Sequence, residues 1–178
     1  GLLQSNGVVF VEGRSDELIL RQFGRTLDVD FSELGIELVE LDGEGNMRSD
    51  GPSLLRLLAA FDVPFLFVSD SHDHERSDAR DELLQELNNG RGESATPSDV
   101  YIWPAYEIEA YLEELSAAIA TTLDIDAETV EQRLADSAGE TPSDRLDELY
   151  QDQLGAGYDK VNHGMLIAKQ AAREDISE

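Results

Sequence analysis

The chain reads as an α/β domain: a mainly parallel sheet of about four strands flanked by helices, followed by a helical appendage. Three observations point there. From Val8 to Trp103, short apolar runs alternate with amphipathic helical stretches, the pattern of βαβ units with right-handed crossovers. Two of those runs, 8–11 and 64–68, are continuously apolar, as strands covered on both faces are. After Tyr106 no strand-type run recurs and the periodicity is helical to the end. A chain of 178 residues, 40 % of them hydrophobic, is long and apolar enough for one well-buried domain with a small appendage. We assign 1–112 to the core and 113–178 to helices packed on it within the same domain.

The elements follow in order. Val8 to Val11 form the first strand. Ser15 caps a helix running through Leu18, Ile19 and Phe23 to about Arg25, with acids in its first turn where the dipole favours them. Ile36 to Leu41 alternate as a second strand, and Asp42-Gly43-Glu44-Gly45-Asn46 is a glycine-bearing loop. Pro52 opens a helix whose apolar face is Leu54, Leu55, Leu57, Leu58 and Phe61. Pro64 to Val68 are the third strand, and Arg76 to Leu87 a charged helix ending at Asn88-Asn89-Gly90. A loop covers 90–99, and Val100 to Trp103 are a fourth strand stopped by Pro104. Helices are expected over 107–123, 127–136, 142–154 and 161–173. Thr-Pro-Ser-Asp occurs twice, at Thr96 and Thr141; it reads as cap chemistry with proline at the first helical position.

Composition narrows the function. The net charge is -26, from 39 acidic and 13 basic residues, and only Lys160 and Lys169 are lysines. The acids are spread along the whole chain. That is the surface of a protein from a high-salt cytoplasm, where charge repulsion is screened over about 3 Å at 1 M salt; an ordinary acidic protein is the alternative. Acidity of this kind does not exclude nucleic acid as a partner, because molar salt suppresses phosphate attraction for any protein. Binding then has to come from metal bridges and close hydrogen bonds. Without cysteine there are no disulfides, thiolate metal sites or cysteine nucleophiles. No apolar run approaches the length of about 20 residues that a membrane helix needs, and no secretion signal is visible. The chain opens on Gly1 and enters a strand almost at once, which reads as a piece of a longer protein with a domain upstream.

The informative residues are acids at strand ends. In a parallel sheet the C-terminal strand ends share one edge, where ligands bind. Glu12 closes the first strand, Asp16 falls in the next helical turn, and Asp70 follows the third strand with Ser71, His72 and Asp73. Carboxylates crowded at one edge repel unless a cation lies between them, so the simplest reading is a divalent-metal site. Hard cations use one or two carboxylates plus water and phosphate oxygens, and two ions about 4 Å apart clamp both oxygens of a phosphodiester displacement. Glu107 and Glu109 open the helix after the fourth strand. Two residues apart on a helix, they do not share a face, and Glu109 is the one assigned to the metal. Each acid has an ordinary counterpart: a first-turn helix acid, a polar loop, a solvated surface group. His72 and His74 beside Asp70 raise a zinc site, which the lack of cysteine and of a third nearby histidine disfavours. Ser71, His72 and Asp73 are adjacent and cannot form a serine-hydrolase relay. His163, before Gly164 in a turn, reads as structural. An aspartyl phospho-acceptor built on Asp70 lacks the first-strand aspartate and the downstream lysine or hydroxyl of that chemistry.

Taken in order, strand-Glu12-Gly13-x-Ser15-Asp16, the Gly43-Glu44-Gly45-Asn46 loop, strand-Asp70 and Ile108-Glu109-Ala110-Tyr111-Leu112 resemble a TOPRIM domain, a Rossmann-like fold. They are most similar to the C-terminal TOPRIM domain of the overcoming-lysogenization-defect (OLD) family of ATP-dependent nucleases. The similarity covers roughly Val8 to Leu112. It implies cleavage of DNA with two Mg²⁺ or Mn²⁺ ions. Glu12 would be a metal ligand and catalytic acid-base group, and Asp16 a second ligand. Asp70-Ser71-His72 stands for the family's Asp-x-Asp and Glu109 for its helix glutamate. A late lysine that stabilises transition-state charge would be Lys160, with Lys169 as the other choice; if the family's Gly-Lys pair falls on Gly164-Met165, the role is empty. The departure is His72 where the second aspartate should stand, with Asp73 able to substitute by a one-residue shift. An imidazole there favours a softer ion such as Mn²⁺, or marks a degenerate module that binds DNA or a protein partner without cutting. The family also implies ATP used only by a separate upstream ABC-type ATPase domain, and pairing into a homodimer.

Overall fold

The structure, a computed structural model, describes residues 1–89 and 95–176; the 90–94 part of the expected loop lies outside the described residues. Four strands form one sheet in the order β2-β1-β3-β4: β1 (Gly7–Val11), β2 (Ile36–Glu40), β3 (Phe65–Ser69) and β4 (Val100–Ile102). All three pairings are parallel. This is the Rossmann-like arrangement that alternating strands and helices predict. The chain leaves β1 for β2 on one side and returns to β3 on the other, so the strand order reverses between β1 and β3. In open α/β sheets ligands bind beyond the carboxyl ends of the strands at that switch point.

The chain divides into two compact units, Gly1–Glu17 with Asp30–Pro104, and Leu18–Val29 with Ala105–Glu178. The first unit holds the sheet. Its core joins Val8, Phe10, Phe67, Val100 and Ile102 of the strands to Met47, Leu55 and Leu58 of α2 (Glu44–Ala60) and Leu83 and Leu87 of α3 (Arg76–Leu87). Phe10 and Phe67 stack at 4.7 Å. Helix α1 (Arg14–Thr26) begins one residue before the expected cap, so Ser15 lies inside its first turn and Asp16 Oδ2 accepts the Gly13 N–H at 3.1 Å instead.

The expected glycine loop and the helix opening at Pro52 both need correction. Only Asp42 and Gly43 turn; α2 starts at Glu44, and Pro52 lies inside it. Gly43 has φ +106, open to glycine alone at low cost. Met47, fully buried, ties the first helical turn to the core, and tertiary burial overrides local signals of this size. Gly51 packs closely on α3, since a Cβ there would come 2.7 Å from Leu87 Cδ2 and that side chain would have to shift.

In the second unit the expected 107–123 helix is two: α4 (Glu109–Glu113) and α5 (Ser116–Leu123). Leu115, with ψ 52, leaves the helical region between them while its side chain is buried. Helices α6 (Ala127–Asp136) and α7 (Pro142–Leu154) follow. Thr141 and Asp144 form a capping box at α7 with Pro142 at its first position, and Thr96 with Asp99 forms the same box in the first unit. Arg145 of α7 grips Glu113 through both oxygens, at 2.8 and 2.7 Å. The last expected helix divides into α8 (Asn162–Gln170) and α9 (Arg173–Ile176), parted by Ala171 in an extended conformation. Among the described residues no helix is long and apolar enough to cross a membrane.

Candidate metal centre

The switch point brings Glu12 to Asp70. Phe10 pairs with Phe67 across β1 and β3, and two residues further the same register sets Glu12 beside Ser69. The Glu12 carboxylate is fixed from two directions. Oε1 accepts the Ser69 hydroxyl and the Asp70 backbone N–H, the latter at 2.9 Å. The Gly43 N–H donates to the Glu12 carbonyl at 2.7 Å, so the positive-φ glycine also clamps the backbone of the acid. Both of these donors use Oε1.

His72 completes the group. One ligand atom each from Glu12, Asp70 and His72 lie within 4.8 Å of one another. His72 adopts φ +47, a left-handed conformation that histidine, like asparagine and aspartate, tolerates better than most residues. The turn closes with His74 N–H donating to Ser71 O at 3.0 Å. Two carboxylates and an imidazole suit a divalent ion, and the imidazole tilts the donor set toward the transition series. The recess beside it is lined by Ser69, Asp70 and His72, with Glu44 and Arg48 of α2 and Glu82 of α3. Asp73 is exposed and lies outside the three-residue group, as does Asp16 in the first turn of α1.

Glu109 and Lys160 belong to the second unit. Lys160 Nζ lies 2.8 Å from Glu107 Oε2 and 3.6 Å from Glu109 Oε1. The two glutamates were expected to face apart. Glu107 precedes α4 rather than lying in it, so helical spacing does not separate the pair, and both are buried, at 5 % and 2 % exposed. Glu107 Oε1 also accepts the Ser143 N–H at 2.9 Å, in the first turn of α7 where the helix dipole favours an anion. Burial alone would discourage ionisation of Glu107, but the Lys160 ammonium and the Ser143 donors outweigh it and hold its carboxyl below the usual value. A lowered folded-state value stabilises the fold above the ordinary glutamate range and is lost as pH falls through it. Denaturant unfolding from pH 6 to pH 3 is therefore expected to show wild type more stable than Glu107→Gln near neutrality, the gap closing only below the ordinary value of 4.5.

Sequence reading missed Ser69 and Glu107. Ser69 ends an apolar run and shows no pattern of its own; only the β1–β3 register reveals it. Glu107 falls in a helix by sequence spacing, and the backbone there is not helical.

Comparison with known proteins agrees with this fold. Residues 3–71 match the family model described as overcoming lysogenization defect protein-like, TOPRIM domain. No curated protein matches the chain by sequence. Among solved structures, the C-terminal region of the Burkholderia pseudomallei OLD protein aligns with TM-score 0.64 and 16 % identity over 97 % of this chain and 91 % of that one. The C-terminal region of the Xanthomonas campestris pv. campestris OLD protein aligns with TM-score 0.61 and 17 % identity in a mercury-phased structure, over 98 % and 90 % of the two chains. Its platinum-phased structure gives TM-score 0.59 and 19 % identity, over 98 % and 87 %. Residues 3–71 thus match an OLD-like TOPRIM domain, and nearly the whole chain has the fold of the C-terminal region of OLD proteins.

Proposed function

We propose that the chain is the DNA-cleaving domain of an OLD-type nuclease, hydrolysing phosphodiesters with Mg²⁺ or Mn²⁺. The observation that carries the reading is the convergence of Glu12, Asp70 and His72 at the sheet's switch point. A divalent ion bound there supplies a water of lowered pKa and neutralises phosphate charge. Glu12, Asp70 and His72 hold it; Ser69 and the Asp70 N–H keep the Glu12 carboxylate in one orientation. Asp16 is the candidate for a second ion, in the first helical turn after Glu12, and Asp73 is the alternative donor on its own loop. In the second unit Glu109 and Lys160 take the ligand and charge-stabilising roles that the resemblance gives them, supported by burial of the glutamate and its approach to the ammonium. An upstream ABC-type ATPase domain, supplying ATP-dependence, and pairing of two copies complete the proposed assembly. The even acidity is read as adaptation to a high-salt cytoplasm.

The test is nicking of supercoiled DNA at high salt, with the ATPase domain present, across a metal series. Cleavage that needs Mn²⁺ or Mg²⁺ supports the reading, and none with any metal overturns it. His72 favours one other reading, a TOPRIM module that binds DNA or a partner protein without cutting. Isothermal titration with Mn²⁺ separates the two: that module binds no ion through Glu12 and Asp70 together. His72→Asp restores an all-oxygen donor set, and is expected to raise activity with Mg²⁺ relative to Mn²⁺ several-fold; an unchanged metal ratio removes His72 from the ligand set.

A further inference from the structure

We propose that His163 is a positioning residue for Lys160: its imidazole accepts the Asp159 N–H and fixes the turn that delivers the ammonium to Glu107 and Glu109. The inference rests on the role given to Lys160 above. Asp159 N–H donates to His163 Nδ1 at 2.9 Å, and His163 N–H donates to Asp159 O at 2.8 Å. Two residues four apart are thus tied side chain to backbone and backbone to backbone, with Lys160 next to the first of them. Accepting at Nδ1 requires a lone pair on that nitrogen.

The rest of the turn is pinned as firmly. The Tyr158 N–H donates to Asp147 Oδ1 at 2.8 Å. The Val161 and Asn162 N–H groups both donate to Asp159 Oδ1, at 3.0 Å each, and Asn162 Nδ2 reaches Oδ2 at 2.6 Å. With Asp159's carboxylate turned toward α8, its N–H is left to the imidazole. The ring stacks on Tyr150 at 4.4 Å and 23°, and lies 6.0 Å from Tyr158. Tyr150 is fully buried, and burial pushes its phenol up to about 12. Burial first, then the nearby Glu109 charge, raises Tyr158 as well. The ring therefore rests on neutral aromatic groups, with the Asp159 and Asp147 carboxylates and the Lys160 ammonium as the charged groups of that turn. The expected reading of His163 as a residue in a turn changes accordingly: it lies in the first turn of α8 and holds the turn before it.

Three variants of the full chain test this. His163→Phe keeps a stacking ring and removes the acceptor. His163→Gln moves the acceptor to the far ring position, and His163→Asn returns it to the Nδ1 position. Two readouts are taken: the Asp159 amide and Lys160 Nζ resonances by NMR, and kcat and KM for Mn²⁺-dependent nicking. Phe and Gln are expected to shift both resonances and to lower kcat by about a hundredfold with KM little changed, the usual cost of a misplaced group. Asn is expected to restore both readouts. Resonances unmoved in the Phe and Gln variants overturn the inference, as does kcat at wild-type level once they have moved. If the parent chain cuts no DNA with the ATPase domain present, it is the reading of the domain as a nuclease that fails, while the NMR arm still decides whether His163 holds Lys160.

Discussion

Glu12→Ala is expected to lower metal-dependent cleavage on the order of a thousandfold, the scale seen when one member of a catalytic unit is removed. Three local facts combine in that number. The substitution deletes one of three donors that converge within 4.8 Å. It strands the Ser69 hydroxyl and the Asp70 N–H, which both serve its Oε1. It also lets the turn bearing Asp70 and His72 relax, because that N–H belongs to the turn. Ser69→Ala isolates the second effect: all three ligands stay, the orienting hydroxyl goes, and Mn²⁺ affinity should fall about 10- to 100-fold. Calorimetric Mn²⁺ titration of both variants checks the order. Equal affinities for wild type and Glu12→Ala would remove the ion from this site altogether.

Where burial and period agree, the sequence was a sufficient guide. Helices α3, α6 and α7 lie where their spacing predicts them, because each carries its own start signal or an uninterrupted helical run. The errors share one physical origin, tertiary burial acting on weak local signals. Glycines and a proline suggested a loop over 42–46 and a helix start at Pro52. Burial of Met47 and the close approach at Gly51 instead carry the helix back to Glu44. A continuous helix over 107–123 ignored Leu115, whose buried side chain takes a non-helical backbone. The same error hid the shared environment of Glu107 and Glu109. At the candidate metal centre, the proximity of Glu12 and Asp70 was legible because strand ends in a parallel sheet share an edge. Ser69 was not legible, since its partner is set by strand order and register, and neither is written in a single strand.

Phe67→Ala carries the largest stability effect expected. Phe67 is fully buried, stacks on Phe10 at 4.7 Å and meets Phe65 edge-on at 6.0 Å. Removing a buried phenyl ring costs about 3–5 kcal/mol, lost transfer energy plus the cavity left behind. A cavity here also loosens the strand that ends in Ser69 and Asp70, so stability and metal binding should be linked. An ion that binds only the folded chain stabilises it by about 2.7 kcal/mol at a hundred times its Kd. Saturating Mn²⁺ is therefore expected to return a large part of the loss in Phe67→Ala and almost none in Phe67→Ala/Glu12→Ala, read as denaturant midpoints with and without the ion. Equal rescue of both variants would mean that the ion acts elsewhere on this acidic surface and not between β1 and β3.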